Sequence, residues 1–161
     1  DYNLDVKVAR YHNIFGPNGT YDGGREKAPA ALCRKIINSI LEDKDLIDVW
    51  GDGEQTRSFL YIDDCVDATL KLFDSNHHGP INIGSEEKVS INEMIDKIEI
   101  ISKKKVKRNY QLDKPKGVRG RNSDNTLIRQ LLKWEPKFSL YQGLEKTYEW
   151  IFSEVKKKHN Q

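Results

Sequence analysis

Apolar positions along the chain recur with two different periods. Leu32, Ile36 and Ile40 repeat at i+4, with Cys33, Ile37 and Leu41 on the adjoining row, and this broad stripe predicts a helix over roughly residues 29–41. Arg34, Lys35 and Asn38 fall on its other side, and Pro29 suits its first turn. Val66, Ala68, Leu70, Leu72 and Phe73 predict a short, mostly apolar helix capped by Asp63-Asp64. A capping box, Ser90-Ile91-Asn92-Glu93, opens a helix with Ile91, Met94, Ile95, Ile98 and Ile101 on one face. Asp124 caps a helix with Leu127, Ile128, Leu131 and Leu132, and Ser139-Leu140-Tyr141-Gln142 starts a last one through Leu144, Tyr148 and Ile151. Strands are predicted at 6–11, 46–50, 57–62, 81–84 and, as an edge, 106–112 before Pro115. Gly51-Asp52-Gly53 reads as a tight turn folding 46–50 onto 57–62, with Gln55, Thr56 and Arg57 at the mouth of that hairpin. The alternation of strands and helices predicts an α/β fold.

Composition narrows the class. The 161 residues, 32% charged and 37% hydrophobic, suffice for one domain that buries about two-thirds of its unfolded surface. The mean hydropathy of −0.75 lies at the polar end, and the net charge of +2 selects no partner. The basic runs at 103–108 and 156–158 lack interleaved aromatics and read as solvated faces, so no nucleic-acid partner is expected. No apolar run is long enough to span a membrane. Cys33 and Cys65 have neither disulfide-framework nor metal-ligand spacing, adjacent His77-His78 cannot form a helical metal pair, and no metal is expected. Two core thiols predict a reducing, cytoplasmic compartment.

Candidate chemistry gathers at Gly23-Gly24-Arg25-Glu26-Lys27-Ala28-Pro29-Ala30-Ala31, a loop running into a helix start. The partial positive charge there disfavours an ammonium and brings a neutral Lys27 amine within easier reach, which suits an acid/base group; with Arg25 or Lys35 the same end attracts phosphates. The competing reading is three solvated loop charges. Asn13, just beyond the first strand, is either a ligand contact or a turn residue. Gln55, Thr56 and Arg57 form ordinary turn chemistry or grip a phosphate or a base. Arg119-Gly120-Arg121 is a flexible cationic clamp or a basic surface loop.

Arg10-Tyr11-His12-Asn13-Ile14-Phe15-Gly16-Pro17, Trp50-Gly51-Asp52-Gly53, Arg57-Ser58-Phe59, Asn82-Ile83-Gly84 and Trp134-Glu135-Pro136 resemble, in order, the extended short-chain dehydrogenase/reductases that act on nucleotide sugars. Within that superfamily, the 23–31 segment and Gly117-Val118-Arg119-Gly120-Arg121-Asn122-Ser123-Asp124-Asn125 are most similar to the GDP-mannose 3,5-epimerase family. The resemblance implies transient oxidation at C4 of the hexose by NAD, followed by proton exchange at C3 and C5. It implies Lys27 as one member of the acid/base pair, Glu26 and Ala28 lining the sugar site, and Asn13 at the sugar or its phosphate. Lys35, eight residues beyond Lys27 and roughly 12 Å along the helix, would face the diphosphate, as would Arg121. Gln55, Thr56 and Arg57 would hold the nucleotide end, and His12 would lie near the nicotinamide.

The resemblance implies that the family's glycine-rich dinucleotide loop, its catalytic Tyr-x-x-x-Lys pair and the cysteine that partners the lysine all precede the region covered here, and neither Cys33 nor Cys65 matches that cysteine. The expectation is therefore the carboxyl-terminal part of an extended reductase. Residues 1–20 would end the NAD-binding sheet, and 21–161 would form mainly the nucleotide-sugar lobe. Such a chain is expected to be inactive alone and to work, in the complete enzyme, as a homodimer on a GDP-sugar. A related 4-epimerase, 4,6-dehydratase or decarboxylase, or a non-catalytic nucleotide-sugar-binding module, is the alternative.

Overall fold

The computed structural model describes residues 4–114 and 117–159, so Pro115 lies outside the described residues. In chain order the elements are β1 (Val8–Tyr11), β2 (Ile14–Phe15), α1 (Ala28–Leu41), β3 (Leu46–Trp50), β4 (Thr56–Ser58), β5 (Leu60–Tyr61) and α2 (Ile62–Phe73). β6 (Pro80–Ile83), β7 (Lys88–Ser90), α3 (Ile91–Ser102), β8 (Lys107–Gln111), β9 (Gly120–Arg121), α4 (Thr126–Leu132) and α5 (Leu140–His159) follow. The α/β class agrees with the sequence reading, and the parallel pairs β1–β6, β2–β5 and β3–β8 account for most of the strands.

The predicted hairpin does not form. β3 pairs in parallel with β8, from Leu46 opposite Lys107 to Trp50 opposite Gln111. Gly51 and Gly53 do turn the chain, at φ of 78° and 77°, but the turn leads away from β3. Its Gly53 carbonyl accepts Asn92 N–H at 3.0 Å, and a Cβ at Gly53 would stand 2.3 Å from Asn92 Oδ1. Docked on the start of α3, the chain enters β4 beside β7, antiparallel, and β9 pairs in parallel on the other side. The expected strand 57–62 is split: Phe59 is buried between β4 and β5, and α2 begins at Ile62.

Two cores result. α1, α3 and α5 pack Cys33, Ile36, Ile37, Met94, Ile95, Ile98, Leu144 and Ile151 against the inward-facing Ile47 and Val49 of β3. This alternation leaves Leu46, Asp48 and Trp50 outward. The second core joins Ala68 and Leu72 of α2 to Leu60, Ile81, Ile83, Ile128 and Trp134. Val66, Leu70 and Phe73, expected with the other apolar residues of α2, point outward instead. Both capping boxes form: Ser90 with Glu93, and Ser139 with Gln142, whose oxygen accepts Ser139 N–H at 2.9 Å. Asp64 is not the cap expected for α2. It sits inside the first turn, buried, and its carboxylate accepts the backbone N–H groups of Lys137 and Phe138 at 2.9 and 3.0 Å, fastening the approach to α5. Among the described residues no helix is long and apolar enough to cross a membrane.

Candidate functional site

A groove of about 690 Å³ opens between α1 along its length and β3, with Ala28, Ala31, Lys35, Asp48, Trp50 and Gln55 on its walls. Side chains of the groove occupy the β3 edge: Lys35 Nζ donates to the Asp48 carbonyl at 2.6 Å, and Gln55 Nε2 donates to the Trp50 carbonyl at 2.9 Å. Burial pulls the Lys35 ammonium below the ordinary lysine range; neighbouring Arg34 adds to this and Asp48 opposes it. The Trp50 indole is 55% exposed. Asp48 Oδ1 accepts from Asn109 at 2.7 Å and Gln111 at 3.2 Å, the residues opposite Asp48 and Trp50 on β8.

Arg34, assigned by periodicity to the polar side of α1, organises the loop before it. Its Nε donates to the Tyr21 carbonyl at 2.8 Å, and one terminal nitrogen donates to Glu26 Oε1 at 2.8 Å. The second oxygen of Glu26 accepts Gly24 N–H at 2.7 Å. Burial alone would push the Glu26 carboxyl up, but these bonds and its own backbone N–H outweigh it and hold the group below its usual range. The sequence signal was present: Asp22 and Glu26 precede the only arginine of the α1 helix.

Lys27, next to Glu26, is the N-cap of α1 in extended conformation at φ −73° and ψ 156°. Its carbonyl accepts Ala31 N–H at 3.0 Å, its side chain is exposed, and among the described residues its amine has no hydrogen-bond or ion-pair partner. Its sequence neighbours Glu26 and Ala28 line the groove, but the exposed Lys27 side chain is not among the lining residues and belongs neither to the groove nor to the strand surface of Thr56, Arg57 and Arg121.

The other candidates meet on a second surface. Thr56 and Arg57 of β4 lie in register with Gly120 and Arg121 of β9, so the two arginines are neighbours across a parallel pair. Arg57 donates to the Thr56 carbonyl at 2.7 Å. Asn13, in left-handed conformation at φ 45°, donates from Nδ2 to the Ser58 carbonyl at 3.0 Å and accepts Leu60 N–H at 3.2 Å, so it ties the end of β1 to β4. His12 N–H bonds the Ile83 carbonyl at 2.9 Å, and its buried Nδ1 has no partner among the described residues. Burial, then the Arg121 guanidinium, lower the imidazole pKa, only partly offset by a bond with Asn82, so the ring is neutral at neutral pH. Gly84 makes room here: a Cβ would stand 2.6 Å from that of Ser123 and 2.7 Å from that of His12.

The structure thus sorts the candidates into a groove set, Glu26, Ala28, Lys35 and Gln55, and a cationic strand set, Thr56, Arg57 and Arg121 with His12 and Asn13. Gln55 and Thr56, adjacent in sequence, join the two. Such an arrangement suits a ligand with a flat ring at one end and anionic groups beyond it.

Comparisons with known proteins identify the family. A profile of the NAD dependent epimerase/dehydratase family matches residues 1–84, more than half of the 161. GDP-mannose 3,5-epimerase of Arabidopsis thaliana is 48% identical over 157 residues, 98% of this chain and 40% of that protein. UDP-glucuronate 4-epimerase of Thermodesulfobacterium geofontis is 34% identical over 92% of this chain. The crystal structure of UDP-glucose 4-epimerase from Thermotoga maritima superposes with a TM-score of 0.85 at 28% identity, covering 96% of this chain and 48% of that one. UDP-glucuronic acid 4-epimerase from Bacillus cereus, in complex with UDP-glucuronic acid and NAD, gives a TM-score of 0.78 at 31% identity, covering 96% and 47%. The chain spans about 40% of the length of the GDP-mannose 3,5-epimerase it matches. By sequence and by fold, this chain belongs to the NAD-dependent epimerase/dehydratase family.

Proposed function

We propose that this chain supplies the nucleotide-sugar half of an enzyme that epimerises GDP-mannose at C3 and C5, and that it is inactive without an NAD-binding half. The reading is carried by one observation: the Glu26-Lys27-Ala28 loop is pinned by Arg34 at one end of a groove whose walls hold Lys35, Trp50 and Gln55. It is supported by the 48% identity to the Arabidopsis enzyme over nearly the whole chain.

In this reading the guanosine end lies against Gln55, Thr56 and Arg57, and the diphosphate is neutralised by Lys35 and Arg121. Glu26, Ala28 and Asn13 line the sugar. Lys27 exchanges protons at C3 and C5, with a partner acid/base from outside this chain. Its freedom from any carboxylate among the described residues leaves the amine available for that task. NAD, when bound, supplies reversible oxidation at C4, which acidifies the neighbouring C–H bonds. His12, neutral and with its buried Nδ1 unpartnered, is suited to a nicotinamide contact from this half. Residues 1–20 continue the dinucleotide-binding sheet, and the assembled enzyme works as a cytoplasmic homodimer, in keeping with two free, buried cysteines.

The test is calorimetry of this chain with GDP-mannose, GDP and UDP-glucose. Binding of both guanosine ligands in preference to UDP-glucose is expected. Preference for UDP-glucose would move the reading to the UDP-sugar 4-epimerases, and heat from none of the three would overturn it.

A further inference from the structure

The stretch from Gly16 to Lys27 leads from β2 to α1 without helix or strand. Gly23 and Gly24, at φ of 91° and 83°, have no atom other than their chain neighbours within 4 Å of where a Cβ would stand, so side-chain packing does not hold the middle of this loop. Its apolar anchor is Tyr21, the hydrophobic side chain between Phe15 and Ala28 that packs on the first core. The Tyr21 ring meets α5: it stands edge-on to Trp150 with centroids 5.3 Å apart and planes at 89°, and Lys158 Nζ lies 5.0 Å from its centroid. The Tyr21 carbonyl meets α1, where it accepts from Arg34 Nε, and another nitrogen of the same guanidinium holds Glu26, next to Lys27. One residue therefore joins two supports. The Lys27 amine has no hydrogen-bond or ion-pair partner among the described residues, so its direction is set by the backbone that carries it. α1 fixes that backbone from the carboxyl side, through the Lys27 carbonyl and Ala31 N–H; on the amino side the fixing runs through Glu26, Arg34 and Tyr21. Neither Tyr21 nor Trp150 lines the groove.

We propose that Trp150 is a positioning residue for Lys27: by seating the Tyr21 ring it fixes the Tyr21 carbonyl and, through Arg34, the Glu26-Lys27 segment, so that α5 aims an amine it does not touch. An acid/base group acts only from within hydrogen-bond reach of the proton it moves, and a small misplacement is costly in rate. The inference rests on the reading of Lys27 as an acid/base group, but its mechanical part, the coupling of α5 to the loop, requires no ligand.

The experiment treats this chain with trypsin and follows cleavage after Arg25 and Lys27 by mass spectrometry; in parallel, C3 and C5 hydrogen exchange is measured in the enzyme assembled with an NAD-binding half. Trp150→Ala should open both bonds roughly fivefold faster, the scale of one aromatic contact, while cleavage after lysines elsewhere keeps its rate. Maximal exchange should fall by roughly tenfold at an unchanged KM for GDP-mannose, because a displaced acid/base group loses rate and not affinity. Trp150→Phe, which keeps an aromatic ring against Tyr21, should restore both readings to within about twofold. Tyr21→Leu leaves α5 intact and should reproduce the alanine result, which keeps the test open if Trp150→Ala does not fold. Phe152→Ala is the control: it removes another aromatic of α5, stacked on Tyr148 at 6.1 Å, and should lower the melting temperature without favouring the two loop bonds. Unchanged cleavage in Trp150→Ala and Tyr21→Leu would overturn the proposal. So would faster cleavage at every site alike, failure of phenylalanine to rescue, or normal exchange in Trp150→Ala where Lys27→Met abolishes it. Exchange indifferent to Lys27→Met would sink the functional reading of that amine and leave the loop coupling, read by trypsin without ligand, standing.

Discussion

Arg57 and Arg121 face each other in register on two parallel strands, and among the described residues neither guanidinium has a carboxylate partner. Like charges brought side by side without an acidic neighbour are costly unless an anion joins them. Arg57→Ala or Arg121→Ala should weaken GDP-mannose binding by roughly 10- to 100-fold each, from the worth of a charge-assisted hydrogen bond. Neither should lower the melting temperature. Calorimetry beside a thermal melt separates the two effects, and loss of folding would show that the pair is structural instead.

Lys27→Met removes the amine and keeps the length of the side chain. In the enzyme assembled with an NAD-binding half, exchange of the C3 and C5 hydrogens with deuterated water should fall by about 1,000-fold, the scale of a lost acid/base group, while GDP affinity stays within twofold. Proton NMR of the recovered sugar nucleotide reads both positions. Undiminished exchange would remove Lys27 from the mechanism.

Glu26→Gln should unsettle the loop through Arg34. The pair is mostly buried, with side-chain exposures of 22% for Arg34 and 8% for Glu26, and removing one partner leaves the other charge uncompensated, at a cost of about 3 kcal/mol. Because the folded protein holds this carboxyl below the ordinary 4.5, its contribution is present above that value and is lost as the pH falls through the lower folded one. Acid denaturation of the unaltered chain should therefore begin below pH 4.5, and the glutamine variant should lack that component.

Lys35 should impose the opposite dependence on ligand binding. Its cation is what attracts a diphosphate, and burial lowers its pKa from the ordinary 10.5, so affinity for GDP should fall as the solution becomes alkaline, before an ordinary lysine would discharge. Lys35→Arg, which stays protonated, should flatten that limb of the profile.

The helices could be read from the sequence because their information is local: α1 and both capping boxes are written in spacings of three and four residues. The pairing of β3 could not, since Trp50 meets Gln111, sixty-one positions on, and nothing near Gly51 distinguishes a hairpin from a departure toward Asn92. Asp64 and Arg34 were misjudged for a related reason. Each occupies a helical position where a solvated charge is normal, and only the approach of Lys137, Phe138 or Glu26 from elsewhere in the chain reveals its task. The candidate residues at the site were legible as residue types in loops, but their division into a groove set and a strand set depends on the register of β4 with β9.

Gly84 carries a consequence for the spacing of the segments around it. With no room for even a methyl group between His12 and Ser123, the end of β1 and the segment following Arg121 are clamped together with almost no slack. The protein therefore fixes the distance between these two segments, and any side chain at position 84 would have to wedge them apart and carry His12 and the Arg121 segment with them.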